Sequence, residues 1–130
     1  MRLKQKDGKT TAEEVWFNNR LRIHHGTAIR VGDYVYGSSG DFGPAFFAAA
    51  NVKTGELLFQ DRSFPKTTFV LADGKFIMLD EDGHLALATV SPAGLKVISK
   101  ASIMKNLAWT VPALVGTKLY LRDRRTIAAL

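Results

Sequence analysis

Along this chain apolar and polar residues alternate in short runs of four to seven positions, each bounded by Gly, Asp, Asn or Pro. A two-residue period puts every second side chain on one face, which is the signature of half-buried strands. The runs predict strands at about Arg2 to Lys6, Thr11 to Asn18, Thr27 to Val31, Tyr34 to Ser38, Ala45 to Asn51 and Glu56 to Gln60. They continue at about Thr67 to Ala72, Lys75 to Asp80, His84 to Val90, Leu95 to Ser99, Trp109 to Val115, Lys118 to Arg122 and Thr126 to Leu130. No helical periodicity competes. The best candidate, Ala45 to Val52, spans eight residues between Pro44 and Thr54-Gly55; it is too short to stand as a helix and reads as a buried strand.

The runs repeat. Val31-Gly32-Asp33-Tyr34-Val35-Tyr36 recurs as Ala72-Asp73-Gly74-Lys75-Phe76-Ile77 and as Val115-Gly116-Thr117-Lys118-Leu119-Tyr120, with Gly32, Asp73 and Gly116 standing 41 and 43 positions apart. A second phase follows each turn: Phe47-Ala48-Ala49, Leu85-Ala86-Leu87 and Ile127-Ala128-Ala129, the first two closed by turns ending in Gly55 and Gly94. Phe59 and Ile98 lie four residues beyond those glycines, and Trp16 precedes Phe59 by 43 residues. Four short strands in about 40 to 45 residues describe the blade of a β-propeller. The expected fold is therefore all-β, a single partial β-propeller over residues 1–130 built of four-stranded antiparallel blades, two full and two partial. The blade pieces fall at about 1–18, 26–60, 67–99 and 108–130. With about four blades as the minimum for a closed ring, the chain reads as a fragment.

Composition narrows the chemistry. Hydrophobic residues make up 46% and charged ones 23%, ordinary for a globular protein, and no segment approaches the roughly 18 apolar residues of a membrane span. Cysteine is absent, which removes disulfides, zinc knuckles and thiol catalysis. The opening stretch MRLKQKDGKTTAEE lacks the apolar core of a signal peptide, so no export signal is expected within it. The net charge of +6 would suit a nucleic-acid binder, but the basic residues are scattered. Arg122, Arg124 and Arg125 form the tightest group, with Asp123 inside it, and no nucleic-acid partner is expected.

The segment Ala48-Ala49-Ala50-Asn51-Val52-Lys53-Thr54-Gly55-Glu56-Leu57-Leu58-Phe59 resembles the repeat of PQQ-like β-propellers, also called quinoprotein alcohol dehydrogenase-like. In that repeat a small-residue strand precedes an Asp-x-x-Thr-Gly turn and a strand ending in Trp; here Asn51 stands for the Asp and Phe59 for the Trp. Asp82 to Val97, Trp109 to Leu114 and Leu119 to Asp123 are similar to the same bacterial repeat proteins, and the likeness runs from about Val15 onward. The resemblance implies a C-terminal segment of a longer parent, periplasmic or exported. The family includes cofactor-dependent dehydrogenases and noncatalytic scaffolds. Its dehydrogenases stack PQQ on a tryptophan, cap it with a vicinal disulfide and use calcium with an aspartate. This chain has no cysteine and no aspartate in such a motif, so no cofactor is expected.

In a propeller the loops entering each first strand share one face with the hairpins between second and third strands. That face would collect Asn18, Asn19, Arg20, Arg22, His24 and His25, then Asp61, Arg62 and Lys66, then Lys105 to Trp109. The hairpin tips would add Asp41 and Phe42, Glu81 and Asp82, and Asp123 and Arg124. His24-His25 could ligate a metal, but neighbours on a strand point to opposite faces and no third ligand accompanies them, so a hydrogen-bonded loop pair is expected. Asp41-Phe42-Gly43 matches a kinase triplet by accident, since the accompanying motifs are missing, and marks a shaped turn. Asp80-Glu81-Asp82-Gly83 lacks the spacing of a calcium loop and predicts a hairpin with Gly83 at positive φ. Trp109 is expected to open a strand, facing the channel or docking between blades. No hydrolase, phosphate-loop or dinucleotide motif occurs. The ligand-binding candidates are His24, His25, Arg22, Asp41, Phe42, Arg62, Trp109, Asp123 and Arg124, with no catalytic or metal-binding residue. The expected role is a noncatalytic module binding a protein or small ligand, with self-association through open strand edges. The alternative is a piece of a PQQ-dependent or related oxidoreductase.

Overall fold

The structure, a computed structural model, describes residues 1–40 and 43–130. Thirteen strands lie in it: β1 (Arg2–Lys6), β2 (Lys9–Glu13), β3 (Ile29–Val31), β4 (Tyr34–Ser39), β5 (Phe46–Asn51), β6 (Leu57–Asp61), β7 (Thr68–Ala72), β8 (Lys75–Leu79), β9 (His84–Ser91), β10 (Gly94–Ser102), β11 (Ala113–Val115), β12 (Lys118–Arg122) and β13 (Ile127–Ala129). Every sheet is an antiparallel meander of consecutive strands: β1-β2, β3-β4-β5-β6, β7-β8-β9-β10 and β11-β12-β13. No helix among the described residues is long and apolar enough to cross a membrane.

Two expected boundaries move. The second strand ends at Glu13 rather than running to Asn18, because Trp16 and Asn18 leave the sheet to bond elsewhere. Trp109 does not open a strand: β11 begins at Ala113, and the segment before it gives its backbone to neighbouring hairpins, Met104 N–H donating to Gly83 O and Ala108 N–H to Glu81 O.

Face-to-face stacking of the sheets makes the core. In β8 the run Phe76-Ile77-Met78-Leu79 is apolar at every position, the pattern of a strand covered on both sides. Phe76 and Met78 join Tyr36, Phe47 and Ala49 of the β3–β6 sheet in one cluster, together with Phe69, Phe64, Ala86 and Ala88. Leu79 turns the other way and packs with Met104, Ala108 and Leu121, against the β11–β13 sheet. Some ring pairs meet edge to face, Tyr36 on Phe76 at 5.6 Å and 89° and Phe47 on Phe69 at 5.4 Å and 80°, and others stack, Phe69 on Phe76 at 5.0 Å and 17°. Both are arrangements that the ring quadrupoles favour. Ala49, Ala86 and Ala88 opposite them leave the space the rings fill.

A different contact ties the β1-β2 hairpin to its neighbour. Trp16 Nε1 donates to Val52 O at 2.6 Å and Asn18 Nδ2 to Gly55 O at 2.5 Å. The indole lies so close over Gly55, at φ +75°, that a Cβ there would sit 2.5 Å from a ring carbon. Phe59, one period later, packs into the core against Phe47 at 6.1 Å, whereas Ile98 of the next unit is 51% exposed.

Phe47 is fully buried and touches four other rings. Phe47→Ala is expected to cost about 3–5 kcal/mol through lost transfer energy and the cavity left, read from urea denaturation midpoints. The exposed Val115→Ala is expected to change them little.

Candidate functional site

The loops at one end of the stacked sheets are stitched to one another. Arg22 N–H, in the loop entering β3, donates to Ser39 Oγ at 3.3 Å, and Gly40 N–H returns a bond to Arg22 O. Thr67 N–H, before β7, donates to Ser38 Oγ at 2.9 Å. The 80–83 hairpin receives the bonds from Met104 and Ala108, and Arg124 N–H donates to Leu107 O at 3.1 Å. Each loop thus rests on the hairpin tips beside it, and the six connections form one surface spanning three sheets.

Two buried carboxylates shape the tips. Asp123 Oδ1 accepts from Arg125 N–H, Thr126 N–H and Thr126 Oγ1, and its Oδ2 accepts from Asn106 N–H and Nδ2. Burial works against the charge, but those five bonds outweigh it and hold the carboxyl well below the usual range. Asp80, 43 residues earlier, accepts from Asp82 N–H and His84 N–H on Oδ1 and faces His84 Nδ1 at 2.9 Å on Oδ2. Gly83 follows at φ +86°, as the turn pattern predicts, with the Met104 carbonyl where a side chain would go. Ser39, 41 positions before Asp80, is the equivalent acceptor in the first full unit. The common spacing of 41 and 43 residues is the signal in the sequence that the three occupy equivalent positions, each an acceptor at the end of a second strand.

Between these tips a cluster of larger side chains converges. Trp109 is 37% exposed, and its Nε1 donates to Glu81 Oε2 at 3.1 Å. Lys66 Nζ reaches the same oxygen at 3.3 Å. His25 lies against the indole at 5.3 Å, and the Arg124 guanidinium stands 4.7 Å from the ring centroid. His25 Nε2 faces Lys66 O at 3.3 Å; a carbonyl only accepts, so this nitrogen carries the proton and Nδ1 is left as a buried acceptor with no hydrogen-bond partner among the described residues. Burial pushes the His25 pKa down, with nearby His24 and Lys66 adding to the effect against the Lys66 carbonyl and Glu81.

The structure thus brings together His24, His25, Trp109 and Arg124, with His24 meeting His25 edge-on at 5.7 Å. Arg22 belongs to a separate cleft of about 230 Å³, which Asn19, Arg20, Ser39, Pro44 and Phe46 also line, and its Nε donates to Asn19 O at 3.0 Å. Arg62 is exposed, and among the described residues it joins neither group. Asp123 turns inward to cap its own tip instead of offering a carboxylate to the surface. Asp41 and Phe42 lie outside the described residues. Among the described residues no three His, Asp or Glu side chains come together as a metal ion requires.

No protein-family model and no curated protein matches the sequence. Among solved structures the chain is similar to BamB from Moraxella catarrhalis, at 23% identity and a TM-score of 0.58. The likeness covers 78% of this chain and 29% of that one, so the chain spans less than a third of the length of the protein it matches. The fold is that of a partial β-propeller built of four-stranded antiparallel blades, as the repeat spacing predicts.

His25 ties stability to pH. Its folded pKa lies below the ordinary histidine value of 6.5, so between the two the unfolded chain binds the proton more readily. The contribution is fully present above 6.5 and is lost as pH falls from there through the folded pKa. His25→Gln is expected to flatten this part of the profile, with urea midpoints at pH 7.5 and 5.0 differing less than in the parent; an unchanged difference would refute it.

Proposed function

We propose that this segment is a noncatalytic binding module, in which stacked blades hold a continuous loop surface to which a protein segment docks. One observation carries the reading: the loops entering β3, β7 and β11 are fixed to the neighbouring hairpin tips by backbone, serine and buried-carboxylate hydrogen bonds. Loops held that way keep their shape without a ligand, and a preorganised surface loses little entropy on binding. The partly exposed Trp109 at its centre supplies the kind of rigid aromatic anchor on which interfaces concentrate their energy. The propeller fold supports the reading only in general terms, since one fold serves many functions.

Self-association is a second part of the proposal. Ile127 and Leu130 are 75% and 54% exposed on or beside the edge strand β13, and Val115 is 65% exposed at the end of β11 on the opposite edge of the same sheet. Unpaired strand edges with apolar neighbours favour pairing with another chain.

Peptides selected from a random display library against the 130-residue chain test the docking reading. Arg22→Glu and Lys66→Glu are expected to weaken the selected peptides' binding, and Lys53→Glu and Lys75→Glu at the opposite turns to leave it intact. Peptides sensitive only to the second pair would overturn the assignment of the face. PQQ with millimolar calcium is expected to leave the melting temperature unchanged; a clear rise would favour an oxidoreductase parent. Light scattering at tens of micromolar is expected to show a dimer or larger species, and a sharp monomer mass would refute self-association.

A further inference from the structure

Arginine is not spread evenly over this chain. Six of its eight arginines, Arg20, Arg22, Arg62, Arg122, Arg124 and Arg125, belong to the loops and hairpin tips of the proposed docking face or the strand end beside them. Most lysines lie elsewhere. The two side chains differ in use: the planar guanidinium fork matches a carboxylate bidentately and stacks on aromatic rings, whereas the ammonium is a strongly hydrated point charge.

The arginines around Trp109 form a site. A cleft of about 180 Å³ is lined by Leu107, Trp109, Thr110, Arg122, Asp123 and Arg124. That is well below the roughly 300 Å³ at which pockets for drug-sized ligands begin, and it suits a single side chain. Arg124 lies over the Trp109 ring at 4.7 Å, which holds the guanidinium in place without using its hydrogen-bond donors. Its own backbone is pinned by the bond to Leu107 O. Asp123 is the only carboxylate in the lining, and it is already committed to its five hydrogen bonds within the tip and to Asn106. Among the described residues neither Arg122 nor Arg124 takes a carboxylate partner. The cleft therefore presents two uncommitted guanidinium groups beside an aromatic wall.

We propose that this cleft is a carboxylate subsite, and that the segment docking on the loop face is an acidic stretch of a protein partner, one of whose Asp or Glu side chains enters between Arg122, Arg124 and Trp109. The inference rests on the docking reading above and names the chemistry of its partner. A peptide is favoured over a nucleic acid or anionic membrane because the same face carries Glu81 and Asp82 among its arginines. A continuous polyanion meets those charges, whereas a peptide places its carboxylates one at a time.

Fluorescence anisotropy with a labelled, amidated decapeptide of alternating Glu and Ser, against its Gln counterpart, tests the subsite in the 130-residue chain. The Glu peptide is expected to bind about tenfold or more tightly than the Gln peptide, as for one charge-assisted pair. Arg122→Gln with Arg124→Gln is expected to remove most of that difference, and Lys53→Gln with Lys75→Gln to alter it less than about twofold. Arg124→Lys keeps the charge but loses the fork, so it is expected to weaken binding while the melting temperature stays as in the parent. Equal binding of the Glu and Gln peptides would overturn the proposal. So would equal losses from the arginine and lysine pairs, which would show general charge attraction, or binding of tripolyphosphate without the Glu peptide, which would point to phosphate. Library-selected peptides that depend on the loop face but show no carboxylate preference would sink the subsite and leave the docking reading standing. A Glu peptide insensitive to every loop-face variant, with no library peptide dependent on that face, would remove both.

Discussion

The structure depends on covering β8 from both sides. Phe76, Ile77, Met78 and Leu79 leave that strand no face for water, so a sheet must lie against each of its surfaces before the middle unit can be stable. On one side the answer is the aromatic cluster with the β3–β6 sheet, and on the other the smaller cluster around Leu79 and Leu121. An unbroken apolar run along a single strand thereby favours sheets that stack as successive layers over sheets that spread into one wider sheet.

Stacking brings equivalent loops side by side, and the backbone polar groups in those loops must then be satisfied there. The chain meets this with acceptors at the ends of its second strands. Ser39 and Asp123 each take a backbone N–H from the loop that precedes their own sheet, from Arg22 and Asn106, while Asp80 serves its own hairpin. The tips become rigid because a buried carboxylate tolerates only a fully bonded arrangement. Trp109, His25 and Arg124 meet because the pieces that carry them have no freedom to separate.

The strands were legible in the sequence because alternation and two-residue turns are local signals; each of the thirteen observed strands overlaps an expected one. Trp109 reads in the sequence as the start of a strand, and the structure differs because the bonds that hold its segment run to Glu81 and Gly83, which sequence proximity does not reveal. Asp123 looked like a surface ligand because an aspartate beside a hairpin reads the same whether it faces solvent or caps its own turn. Its repeat partners Asp80 and Ser39 carried the missing information. The Lys66–Glu81–Trp109 contacts join three separate connections and have no counterpart in any local pattern.

In an array whose units touch only their neighbours, order is transmitted one interface at a time, and the end units fray first. The cluster around Trp109 departs from that rule, because its members come from the connections preceding the second, third and fourth sheets and from two hairpins. The contacts among His25, Lys66, Glu81 and Trp109 act as a clasp across the stack, so that loosening one of them is felt at more than one interface between layers.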